Sequence, residues 1–165
     1  MAKESATLHL PGADGSELEL IVTGFRWSTE RGKRDFEDYL RAHVRVSAPF
    51  GSIEFHFNGI LNWEAEDFAN WLLIISQRQP DTNRIYFNEG YLEFILQSQV
   101  DRYVIIRARI ADYIHGWHFT PGADIVALQD EDDWPYVDLE MSHNQLVAAA
   151  TAFQQSLHHL PTRTY

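Results

Sequence analysis

A chain of 165 residues is long enough for one useful hydrophobic core, so a single domain over residues 1–165 is expected. Its 24 acids against 13 bases give a formal net charge of −11, which argues against nucleic acid or anionic membrane as partner, since both are polyanions, and suits a basic protein partner. No cysteine is present, which excludes disulfides, thiol nucleophiles, iron–sulfur clusters and cysteine-ligated zinc.

The chain opens without the apolar stretch of a signal peptide, and its longest apolar run, near Trp71 to Ile75, is too short to span a bilayer. A cytoplasmic location is therefore expected. Residues 7–10 alternate before Pro11 and the turn residues Gly12 to Gly15. Residues 17–22 alternate after it, with Leu18, Leu20 and Val22 on one face, and the two segments read as a hairpin. Residues 28–38 mix both signs of charge and read as a loop. Val44 and Val46 mark a strand from Tyr39 to Val46, broken by Pro49. In the next strand Ile53, Phe55 and Phe57 share one face, with Glu54, His56 and Asn58 opposite.

The first helix is expected to open near Asn62, with Glu64, Glu66 and Asp67 in its first turn where negative charge suits the dipole. Phe68, Trp71, Leu72 and Ile75 form its apolar stripe, and Pro80 ends it. Three strands follow: Arg84 to Phe87, Tyr91 to Gln97 and Tyr103 to Ile110. Turns fall at residues 88–90 and 100–102. Connections this short require an antiparallel meander. Residues 112–134 are irregular. Val137, Leu139 and Met141 mark a last strand. Ser142 and Gln145 then fit a capping box, and Leu146, Ala149, Ala150, Phe153 and Leu157 stripe a second helix stopped by Pro161. The expected class is α+β: a mostly antiparallel, strongly curved sheet of about six to eight strands with two helices packed against it. Its expected core includes Leu20, Phe55, Phe57, Phe68, Leu72, Ile75, Phe94, Ile106, Leu139, Leu146 and Phe153.

No catalytic motif stands on these elements. There is no G-x-S-x-G elbow, phosphate-binding glycine loop or H-E-x-x-H pair. His115 and His118 flank Gly116 and Trp117 at the wrong spacing for a zinc helix, and no metal ligand or cofactor is expected. His158 and His159 suit the end of the last helix, where a cation complements the dipole. Glu54, Glu93, Asp138 and Glu140 are expected on a solvated sheet face. Tyr103, Ile105, Arg107 and Arg109 form a mixed outward face that could make contacts. The densest acid cluster is Asp130, Glu131, Asp132 and Asp133, followed by Trp134. The run lacks the glycine of a calcium loop. With the aromatic beside it, this segment is the expected partner-binding site.

The strand from Gly51 to Phe57, the helix residues Trp63, Phe68, Trp71 and Leu72, and the strands from Tyr91 to Leu96 and Tyr103 to Arg109 recur in a known order. So do the strand Val137 to Met141 and the helix residues Gln145, Leu146, Phe153 and Leu157. Over residues 40–160 the chain resembles the WapI family of bacterial immunity proteins. The stretches 28–38 and 112–134 depart from it. The resemblance implies a small, cytoplasmic, non-enzymatic protein that binds and neutralises a toxin domain delivered between bacteria. Many such toxins are nucleases with basic surfaces. Two other readings stay open. One is a small-molecule- or cation-dependent enzyme with a pocket between sheet and helices, using His115, His118 or the acids of 130–133. The other is an assembly protein dimerising through an exposed sheet face, so monomer and homodimer are both open.

Overall fold

The computed structural model describes residues 4–25, 39–77, 79–87, 92–111, 116–124, 129 and 134–160. The elements run β1 (Ser5–Pro11), β2 (Glu17–Phe25), β3 (Tyr39–Ala48), β4 (Gly51–Leu61), α1 (Asn62–Ile75), β5 (Arg84–Tyr86), β6 (Leu92–Gln99), β7 (Tyr103–Ile110), β8 (His118–Phe119), β9 (Tyr136–Ser142) and α2 (His143–Leu157). The class is α+β, and every strand pair is antiparallel. The strands divide into a five-stranded sheet, β1-β2-β3-β4-β8, and a four-stranded sheet, β5-β6-β7-β9. One curved sheet was expected. The division arises because β4 runs directly into α1, and the chain re-emerges from that helix to build the second sheet. The edge strands β1 and β9 lie close together without a hydrogen-bonded ladder, and α2 packs over both of them and against α1.

The β1–β2 hairpin forms as its alternation predicts, burying Ala6, Leu8 and Leu10 opposite Val22, Leu20 and Leu18. Its turn is fixed locally. Asp14 Oδ1 accepts the Ser16 N–H at 2.9 Å, and Gly15 adopts φ +86°, a conformation that costs glycine little. On β4 the burial of Ile53, Phe55 and Phe57 passes to Ile60 because the register slips against β3 between Leu40 and Ala42. Such a bulge resets the phase of alternation and bends the strand.

Each helix grows out of a strand with no intervening loop. At α1 the buried Glu64 carboxylate accepts the Leu61 N–H at 2.8 Å, so this acid caps the helix and does more than complement its dipole. At α2 the expected capping box is present: Ser142 Oγ accepts from Gln145 N at 3.1 Å, and Gln145 Oε1 accepts from Ser142 N at 2.9 Å. His143 ties this corner to its surroundings through the carbonyls of Ser76 and Val100, at 3.0 and 2.6 Å.

One core joins both sheets and both helices, and it contains all eleven expected residues. Phe68 on α1 lies at its centre. Its ring stacks on Phe94 of β6 at 4.4 Å and meets Phe87 and Phe153 of α2 edge-on, at 5.4 and 6.5 Å. Centroid separations of this order are favourable for aromatic pairs. Within the irregular stretch 112–134, β8 was not expected. A two-residue strand has no alternation to read. It pairs Phe119 with Gly51 and His118 with Ser52, so closely that a Cβ on Gly51 would stand 2.5 Å from the His118 carbonyl oxygen.

Candidate functional site

The outer face of the four-stranded sheet carries the mixed surface foreseen from Tyr103 to Arg109. Register places Tyr86, Glu93, Arg109 and Tyr136 in one row across β5, β6, β7 and β9. A neighbouring row holds Arg84, Ile95, Arg107 and Asp138. Tyr86 and Tyr103 are exposed, while Ile95, Ile105, Arg107 and Tyr136 are half-buried. Arg107 donates two hydrogen bonds to Asp138, at 2.8 and 2.9 Å, and its guanidinium lies 3.7 Å from the centre of the Tyr136 ring. Such forked pairing fixes a side chain more firmly than a point contact does.

Two expectations are corrected on this face. Glu93 and Arg109 do point away from the core, but both are buried, at 7 and 4 % exposure. Trp134 accounts for part of this, since the Arg109 guanidinium lies 4.7 Å from the centre of its ring. Glu93 also pairs with Arg84 at 3.1 Å, so one carboxylate receives two guanidiniums. Burial of charge on an outward face is tolerable only with such partners.

Of the expected partner-binding segment, Trp134 is half-buried beside β9 and adjoins this face, while Asp130, Glu131, Asp132 and Asp133 lie outside the described residues. His115 also lies outside them. His118 is exposed on β8. Its neighbour Trp117 stacks on Phe119 and meets Phe50 at a tilt, each at 5.7 Å. His158 and His159 are exposed just past α2, as their position suggested.

The outer face of the five-stranded sheet is a polar ladder. Arg45 donates to Glu19 at 3.0 Å and to Glu54 at 3.4 Å, joining β2, β3 and β4 in one row. His9 contacts Glu17 at 3.1 Å, and the same carboxylate accepts from Ser47. His43 meets Glu54 at 2.5 Å and stacks on His56 with centroids 4.0 Å apart. The Glu17 carboxyl is held below its usual range by its hydrogen bonds from His9 and Ser47, and the Glu54 carboxyl by the one from His43 first. Beside these groups an open groove of about 530 Å³ is lined by His9, Glu17, Glu19, Arg45, Ser52, Glu54 and His118, among others. Alternation foretold that Glu54 and His56 face outward. Their meeting with His43 depends on the β3–β4 register, which alternation alone does not give.

Together these features define a two-sheet α+β protein whose polar chemistry lies on open sheet faces. The chain belongs to the Immunity protein WapI-like family, whose model matches residues 9–161. That span takes in β2 and the end of β1, which the resemblance over residues 40–160 had left out. No curated protein and no solved structure matches the chain. No helix among the described residues is long and apolar enough to cross a membrane.

Proposed function

We propose that this protein binds a cognate toxin domain and neutralises it in the cytoplasm, with no catalytic step of its own. The observation that carries this reading is the family match over residues 9–161. The net charge of −11 supports a basic partner, because complementary charge speeds encounter. Contact is made by Asp130, Glu131, Asp132, Asp133 and Trp134, and by the outer face of the four-stranded sheet, which Trp134 adjoins. The acids steer association, and the aromatic groups of that face (Trp134, Tyr136 and Tyr86) slow dissociation.

The test is association kinetics with any toxin domain encoded beside this gene. Replacing all four acids of 130–133 by lysine should lower the on-rate and its salt dependence, and Trp134→Ala should raise the off-rate. Unchanged kinetics in both variants would assign the contact to another surface. A folded chain that binds no neighbouring toxin domain would remove the immunity reading itself.

A further inference from the structure

We propose that His43, Glu54 and His56 form a site for one divalent transition-metal ion of the zinc class. The site follows from strand geometry. Glu54 and His56 are two residues apart on β4 and so share its outer face, and the β3–β4 register sets His43 directly opposite His56. One donor atom from each of the three side chains lies within 4.8 Å of the others. Tetrahedral donors at about 2.0–2.1 Å from an ion stand roughly 3.3 Å apart, so the stacked His43 and His56 rings turn out of their near-parallel arrangement to converge on one ion.

The chemistry of the donors agrees with the geometry. Two imidazoles and one carboxylate suit zinc, nickel or copper better than calcium or magnesium, which prefer oxygen alone. The His43 side chain is 16 % exposed and touches both other donors, through its contact with Glu54 and its stacking on His56. Arg45 approaches Glu54 at 3.4 Å but is held more closely by Glu19 at 3.0 Å, which retains the guanidinium when the ion takes Glu54. Three protein donors on an outward face leave a coordination position open to solvent or to a group brought by another molecule. The site is independent of the toxin-binding reading.

The test uses the whole chain, stripped with a chelator and titrated with zinc by calorimetry, and with cobalt by visible absorption. One equivalent should bind, and saturating zinc should raise the melting temperature, because an ion that binds only the folded chain stabilises it. His43→Ala and His56→Ala should each weaken binding at least tenfold, and Glu54→Gln should weaken it less. These side chains point away from the core, and far-ultraviolet circular dichroism checks that each variant folds. A His158→Ala/His159→Ala variant should bind as the parent does. No zinc uptake by the folded parent would overturn the site, as would undiminished uptake by the His43→Ala/His56→Ala variant.

Discussion

At Glu93 one carboxylate serves two arginines, and only Arg84 of the two remains largely in solvent. Glu93→Gln leaves the Arg109 charge buried with its main counterion gone, a change that typically costs about 3–5 kcal/mol. Urea unfolding should show a loss of that order, and a loss under about 1 kcal/mol would mean the pair behaves as an exposed one. Glu17 and Glu54 act in the other regime. Both carboxyls are open to solvent and lie below the usual glutamate range, so their contribution is present above the unfolded-chain value and is lost as pH falls through the lowered folded values. A Glu17→Gln/Glu54→Gln variant should therefore lose less stability than the parent on acidification across that window. The unfolding midpoint followed against pH at low salt reads this out; parallel curves would contradict it. The sequence showed which residues face outward but not which outward residues are covered. Arg109 alternates like a solvated residue, and part of its cover comes from Trp134, 25 positions further along the chain.

Strands and helices were legible where a side-chain period runs long enough to read. The hairpin, the meander and both helix stripes follow from alternation or from i, i+3, i+4 spacing, and the α2 cap follows from Ser142 and Gln145. β8 carries no such signal, because its pairing rests on one glycine that lets two backbones close. Gly51→Ala would push a methyl group into the His118 carbonyl. That substitution should detach β8 and speed amide exchange at Thr120, which donates to the Phe50 carbonyl at 2.7 Å, while leaving the β1–β2 hairpin protected. Unaltered exchange at Thr120 would show that the strands can separate slightly and still pair. The split into two sheets was likewise hidden, since alternation says which face is buried and nothing about which strand lies beside which.

Across the whole molecule, two sheets and two helices depend on one aromatic centre. Phe68 belongs to α1, yet it touches rings from β6 and α2 and from Phe87 beyond β5. Phe68→Ala should cost about 3–5 kcal/mol. It should lower the unfolding midpoint equally by far-ultraviolet circular dichroism and by tryptophan fluorescence, because the sheets share one core. Two separated transitions would show that the sheets fold as independent units. Around that core the molecule presents one polar, histidine-bearing sheet face and one mixed, aromatic-bearing face, under a net charge of −11. The role proposed for this acidic scaffold is restraint of a toxin. The most direct measurement is growth of cells that express any toxin domain encoded beside this gene, with and without this chain. Rescue of growth with recovery of a stable complex is the predicted result. Arrest that persists beside abundant, folded protein would rule that role out.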